Sequence, residues 1–521
     1  MPREQIKPRG GWSSDLPAEE VPAGFITRAK NVLVRDGALG RAFGFAPFAG
    51  TGAAPTLIGP RFLIANQALG TAFWLYAGDT IVGVTDGFTH QDITPVGWPD
   101  HAGFNGPFSG GIVNQLPVLN SRIDGPFYWQ QDFATPGVMV PLPDWPVLDT
   151  AGSMRPFREF LIAMDINIAG TRFADLLRWS DAAPPGNVPQ SWTTGVQSQA
   201  GEISVSFNPG ELVDGAQLLD RFYVYKTTSV FVMTLVGGVF IFNNRPVFST
   251  FGALARGCIA EWRAQHIVLT DGDLVIHDGT NVRSIANERL RREIFDSMSG
   301  DFFDNTYLAI SGRFDVLFIC RPRGTEQYPS EAITLDLNDL SFGHQSLVST
   351  GSPHMLDGLV DTTQSVEPTW DVKTTTWDTD ATRWGESAFS RVENEVIIAD
   401  FTGLKLQQLG LGEDQDGTPI DAIAERVGIS LGRPDVRKFV RRIWPRFYGG
   451  AGNTVFVQVG AHDNPNSEPA YSPEQAFTID VDRFLSVDVS GFYLAYRFRS
   501  DTGIAWRLPN FDVEFELMGR Y

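Results

Sequence analysis

The segment HIVLTDGDLVIHDGTNVRSI, His266 to Ile285, sets three carboxylates (Asp271, Asp273, Asp278) beside two imidazoles (His266, His277). A calcium loop would want acidic ligands at its first, third and fifth positions and a glycine at the sixth. Asp271 and Asp273 fit its start, but an apolar strand follows where the next ligands belong. His277 next to Asp278 would suit a base and its orienting acid. The ordinary alternative is that these residues turn a chain between strands. GEDQDGT (412–418) is a second acidic loop open to the same two readings.

Other chemistry is sparse. The histidines, at 90, 101, 266, 277, 344, 354 and 462, show no HExxH or other paired ligand spacing. Cys258 and Cys320 are too few for a cysteine zinc site and read as buried thiols. A sialidase Asp-box needs Ser-x-Asp-x-Gly-x-x-Trp in several blades. WSDAAPPGNVPQSW carries Ser180, Asp181, Gly186 and Trp192 at the wrong spacing, and once. No Gly-x-Ser-x-Gly elbow is present, and the glycine runs GPFSGGIV and YGGAGN lack a phosphate-loop lysine. The expectation is a protein with no catalytic residues, cofactor or metal.

The elements that carry these residues explain them better. HIVLT, DLVIH and VRSI read as three strands, turned at Asp271-Gly272 and at Asp278-Gly279. AFWLYAGDTIVGVTDGFTHQDI repeats the pattern, with Gly78-Asp79 at one corner and Asp86-Gly87 at the next. Asp-Gly suits the two-residue type I′ turn, because glycine takes positive φ freely and aspartate tolerates it. Weaker strand-turn-strand clusters lie at 111–145, 160–181, 221–236 and 307–346. Spacings of roughly 40 to 60 residues match a four-stranded propeller blade. The fold class is therefore all-β: a β-propeller of six blades over residues 57–348, preceded by an N-terminal arm and first strands at 1–56.

After Val348 the composition turns rich in Trp, Thr and Asp. Trp370, Trp377 and Trp384 stand seven apart, in a loop or edge hairpins whose indoles pack on a neighbouring domain or form a carbohydrate-binding patch. Residues 349–432 thus read as an insertion with hairpins, either outside the propeller or completing it. From 433 to 521 apolar and polar residues alternate. Val455, Val457 and Val459 share a face, as do Phe492, Leu494, Tyr496 and Phe498, which marks a C-terminal β-sandwich. RKFVRRIWPR (437–446) is either a basic nucleic-acid stripe or a strand whose arginines pair with a very acidic protein. NERLRREIFDSM (287–298) predicts the one helix, capped by Asn287, with Leu290, Ile294 and Met298 on one face.

With 521 residues and 43% hydrophobic content the chain can bury a large core. A net charge of −20 argues against gripping nucleic acid, which needs Lys and Arg to neutralise phosphates, though not against letting it slide past. No signal peptide or membrane-spanning helix is expected.

GGWSSDLPAEEVPAGFITRAKNVLVRDGALGRAFGF (Gly10 to Phe45) resembles the opening of short-tailed bacteriophage tail proteins. LLRWSDAAPP, DRFYVYKTTSVFVMTLVGG, GALARGCIAEWRAQHIVLTDGDLVIHDGTNVRSIA and RREIF are similar to that family's central signatures, and SGFYLAYRFRS and WRLPNFDVEFELMGRY to its end. The family is the tail hub or nozzle protein of podovirus-like phages. The resemblance implies a structural virion protein, assembled in the bacterial cytoplasm as a homohexameric ring. That ring would extend the DNA ejection channel below the portal and adaptor (head-to-tail connector) ring, and would mount fibres, spikes or a needle. Double-stranded genomic DNA would pass through it without sequence-specific binding, eased by an acidic wall. The competing reading is a carbohydrate- or receptor-binding propeller at the tail tip.

Overall fold

The computed structural model describes residues 2–519 except 49–58, 69–70, 88–89, 100, 102–105, 131–136, 196–197, 238–240, 349–350, 362–391 and 466. Trp370, Trp377 and Trp384 lie outside the described residues.

Among the described residues seven four-stranded antiparallel blades stand side by side, six as separate sheets and one as the first four strands of a ten-stranded sheet. Blades 1 to 6 take residues 62–92, 109–141, 150–204, 212–248, 259–284 and 307–346 in chain order. Blade 7 is composite. Met355–Asp361, Val392–Asp400 and Lys405–Leu409 supply three strands, and Phe45–Pro47, from ahead of blade 1, supplies the outermost. The first strand of each blade contacts that of the next, and blade 7 contacts blade 1, so the ring closes on itself. The expected six blades are thus one short. The missing blade cannot be read as a local cluster, because its strands come from both sides of the propeller and its first two are separated by the Trp-rich insertion.

The physical reason for the ring is visible in the core. A strand such as Val316–Cys320 is buried on both faces, so each sheet needs a neighbour on either side. Hydrophobic clusters fill each gap between blades. Ile64, Phe73 and Leu75 of blade 1 meet Leu119 and Trp129 of blade 2, and Leu63, Trp74 and Tyr76 on its other face meet Ile397 and Leu406 of blade 7.

The β-sandwich follows. One sheet orders Arg3–Ile6, Phe511–Met518, Arg437–Pro445 and Leu485–Gly491. The other runs Ala470–Tyr471, Thr454–His462, Tyr493–Ser500, Ala422–Ile429 and Arg28–Lys30. Its first C-terminal strand starts at Ala422, ahead of the expected 433, and two of its strands come from the arm. Val455, Val457, Val459, Leu494, Tyr496 and Phe498 are buried between the sheets. Arg441 and Arg446 pair with Glu516 and Asp512 on the adjacent strand, the arrangement of a strand within an acidic protein.

The arm at 2–47 is therefore a staple rather than a tail. Val32–Arg35 and Ala38–Arg41 extend blade 6 outward. Trp506–Leu508 then joins that sheet to the sandwich side. One continuous core holds Ile319 of blade 6, Val32 and Leu39 of the arm and Phe498 of the sandwich.

Two local expectations change. The helix is shorter, Arg291–Phe295, and Asn287 does not cap it. Asp15 of the arm does so instead, its carboxylate oxygens accepting the Arg291 and Arg292 N–H groups at 2.7 and 3.0 Å. The Asp-Gly corners are not type I′ turns. Gly87, Gly272 and Gly279 have φ of +94°, +96° and +87°, but Asp86, Asp271 and Asp278 do not join them, and Gly78 is not left-handed either. Type I′ geometry occurs elsewhere. Asp36-Gly37 (φ +51° and +70°), Asn114-Gln115 and Arg263-Ala264 each place two positive φ values between paired strands. Their twist suits the flanking strands.

Candidate functional site

The corners singled out by sequence fall at equivalent places in blades 1 and 5. Gly78, Asp79, Asp271 and Gly272 join second to third strands, while Asp86, Gly87, Asp278 and Gly279 join third to fourth. The two kinds of corner thus lie at opposite ends of a blade, and no single site can gather them. Asp278 is spent on its own loop: Oδ1 accepts the Thr280 and Asn281 N–H groups at 2.8 and 2.7 Å, which lowers its pKa. Asp273 accepts Leu274 N–H and the Ser284 hydroxyl. Asp79 turns inward to Arg61, 2.6 Å away. In the 412–418 loop, Glu413 pairs with Arg41 and Asp416 with Lys405. Among the described residues no three His, Cys, Asp or Glu side chains cluster as metal ligands.

His266 and His277 do meet, but not as a base with Asp278. Both are buried, with the Tyr225 hydroxyl of blade 4 between them at 2.7 Å from each. The contacts fix the protons. His277 Nδ1 accepts Gly279 N–H, so its Nε2–H donates to the Tyr225 oxygen. Tyr225 donates to His266 Nδ1, and His266 Nε2–H donates to the Gln217 carbonyl. Burial pushes both imidazoles down to about 4, so they are neutral in ordinary buffers.

A second pair has the form of a nucleophile and base. His101 Nε2 lies 2.8 Å from Ser121 Oγ, and its Nδ1 lies 3.2 Å from the Asp79 carbonyl. Both side chains are sealed, with Trp98 and Phe108 rings packed on the imidazole. Twenty residues and a blade boundary separate the two in sequence, which hides the pair from motif reading. The thiols of Cys258 and Cys320 are buried and unpaired, and burial raises both pKa values.

The open space is at the propeller axis. A cavity of about 410 Å³ is lined by the first strands of blades 2 to 7. Arg155 of blade 3 crosses to Asp214 of blade 4 with bonds of 2.8 and 2.7 Å. Ser153 and the Gly257 N–H complete the carboxylate's shell at 2.6 and 3.0 Å. Burial raises the Asp214 pKa, and Arg155 with these donors more than reverses the effect, leaving it below its usual value. Asp357 of blade 7 also lines the cavity. Burial and the nearby Glu395 charge raise it to about 6, against a hydrogen bond from Gly312 N–H. Burial raises Glu261 as well. At about 6, Asp357 can give or take a proton near neutral pH. Nothing in the sequence marks Asp357, because its neighbourhood is set by the pairing of Met355–Asp361 with Val392–Asp400, strands that the Trp-rich insertion separates in sequence.

No protein-family model matches the chain, and no curated protein matches it. Among solved structures the chain is similar to the extracellular domain of the hybrid two component system BT4673 from B. thetaiotaomicron. The TM-score is 0.41 at 12% identity, over 84% of this chain and 47% of that one. It is also similar to the AfRom2 CNH domain (TM-score 0.35, 8% identity, 70% of this chain and 96% of that one). A third is PorZ, a surface component of the type-IX secretion system of Porphyromonas gingivalis (TM-score 0.34, 11% identity, 83% of this chain and 46% of that one). The chain spans about half the length of the first and third. The sheet order described above identifies the molecule as an all-β propeller joined to a β-sandwich.

Proposed function

We propose that this chain is a structural virion protein, the subunit of a tail nozzle or hub ring through which a phage genome leaves. The ordered set of signature segments from Gly10 to the closing WRLPNFDVEFELMGRY carries the reading. What those segments do is consistent with it. Asp15 caps a helix, and Asn31 ties arm to blade 6 and sandwich through Ser346 N–H and the Asp421 carbonyl. Asp36-Gly37 turns a hairpin. These are architectural tasks. In a ring of six copies at −20 each, DNA would meet a repelling wall and stay mobile. The test is to mix the purified chain with adaptor rings and measure mass and symmetry. A six-fold complex with a negative bore is expected; a strongly positive bore, or no association with the adaptor, would defeat the proposal.

A second reading, a glycan-binding or glycan-degrading propeller, draws on Asp357 and Glu261 in the axial cavity. Release of reducing sugar from host polysaccharide, abolished in Asp357→Asn, would favour it.

A further inference from the structure

Next to the axial cavity, and sharing Arg155, Gly257, Tyr307 and His354 with its lining, lies a smaller cavity of about 30 Å³ at the starts of the first strands of blades 1, 6 and 7 and the link into blade 5. Three of its lining residues each carry a buried polar atom with no hydrogen-bond partner: Arg256 Nε, Thr306 Oγ1 and His354 Nδ1. All three can donate. Unpaired buried donors are rare in folded proteins and mark a place where something else accepts. We propose that this cavity holds a small monovalent anion of halide size, bound by the Arg256 Nε–H, the Thr306 hydroxyl and the Nδ1–H of His354.

Charge favours an anion over water. Arg61 is matched by Asp79, and Arg155 by Asp214. Among the described residues the acid within 4 Å of Arg256 is Asp165, at 3.6 Å, while Asp304 and Asp214 act on it from further away. The Asp165 carboxylate already binds Arg172 at 2.6 and 3.1 Å and Arg122 at 3.2 Å. Arg256 is thus a guanidinium, with 11% of its side chain accessible, whose nearest carboxylates are shared with other arginines or, in Asp304, stand further off. The acid that lines the cavity, Asp304, is exposed. Burial takes His354 down to about 3, so it offers an N–H without a second charge. Phe62 and Phe108 line the same space and limit hydration, which strengthens attraction to the cation.

Size selects the class. A water needs about 10–15 Å³ on this measure, so the space takes one halide or about two waters and is too small for phosphate. The occupant would join blades 5, 6 and 7 at the hub, so binding should stabilise the ring by mass action.

The test is unfolding of the full chain at constant ionic strength, with sodium bromide replacing sodium gluconate, whose anion cannot enter. A saturable rise in the midpoint with bromide is expected. Thr306→Val, which removes one donor and keeps the charge and shape, should raise the half-saturating bromide concentration about tenfold. Arg256→Met should abolish the dependence. If Arg256→Met does not fold, Thr306→Val and wild type still decide the matter. Crystals grown in bromide should show anomalous density between the three donors. Superimposable wild-type and Thr306→Val titrations, or ordered water only at the site, would overturn the assignment.

Discussion

The Arg155 guanidinium holds the Asp214 carboxylate by two hydrogen bonds, Nε at 2.8 Å and Nη2 at 2.7 Å, across the boundary between blades 3 and 4. Asp214 is 2% exposed and the Arg155 side chain 23%, so removing Arg155 strands a buried carboxylate and removing Asp214 strands a half-buried guanidinium. Asp214→Ala should cost about 3–5 kcal/mol in urea unfolding. The double variant Arg155→Met/Asp214→Ala should lose less than the two single losses added together, because no unpaired charge remains. The folded Asp214 pKa lies below the unfolded value of about 3.9, so its contribution is complete above that pH and fades only as pH falls through the lower folded value.

The His277–Tyr225–His266 chain gives the joint between blades 4 and 5 a different acid response. Both histidines titrate at about 4 when folded and at about 6.5 when unfolded. The unfolded chain therefore binds more protons between those values. Their contribution is fully present above about pH 6.5 and declines as pH falls toward 4. Unfolding midpoints measured from pH 7.5 to 4.5 should drop. Tyr225→Phe, which leaves His266 Nδ1 without its donor, should cost about 1–3 kcal/mol at pH 7.5. A flat midpoint across that range would contradict the wiring.

Asp15 lies far from the helix it caps in sequence, so its loss should loosen the arm as well as the helix. Asp15→Ala is expected to cost about 0.5–2 kcal/mol. Hydrogen exchange should speed up at the Arg291 and Arg292 amides and in the arm around Ser13 to Asp15, whose backbone and hydroxyl groups donate to the Arg289 carbonyl. Exchange in blade 2 should not change.

Gly37 and Gly97 separate two kinds of glycine cost. Both have left-handed φ, +70° and +82°. A methyl at Gly37 would meet Arg9 no closer than 3.6 Å, and one at Gly97 would meet nothing. Each Gly→Ala change should therefore cost about 1 kcal/mol from backbone strain alone. Gly279→Ala should cost more, since its methyl would lie 2.0 Å from the Tyr223 hydroxyl. Denaturation midpoints of the three variants check the order.

Strand content, the propeller and the sandwich were legible because alternation and corner residues are local signals. The equivalence of Gly78-Asp79 with Asp271-Gly272 survives as a true repeat of blade position. The turn type did not survive, because Arg263-Ala264 and Asn114-Gln115 reach positive φ under strand pairing that no local preference foretells. Blade 7 was legible only in part: three of its strands lie within 349–432, but the fourth comes from the arm, where Phe45 pairs with Leu409 without any local sign. The axial groups were hidden most deeply. Arg155, Asp214, Thr306 and His354 sit in ordinary strand or loop text and converge only when the ring closes.

The pairing of Arg3–Ile6 with Phe511–Met518 sets a timetable for synthesis. Gln5 and its partner Asn510 are 505 positions apart. At about 5–20 residues per second, a ribosome needs on the order of half a minute to two minutes between them. Through that interval the early strand has exposed edges and no mate, and blades 1 to 5 can assemble while the ring stays open. The ring can close once Lys405–Leu409 is made, and the sandwich completes only with Phe511–Met518, so the nascent chain passes through a long unlatched stage in which a holding chaperone has the most to do.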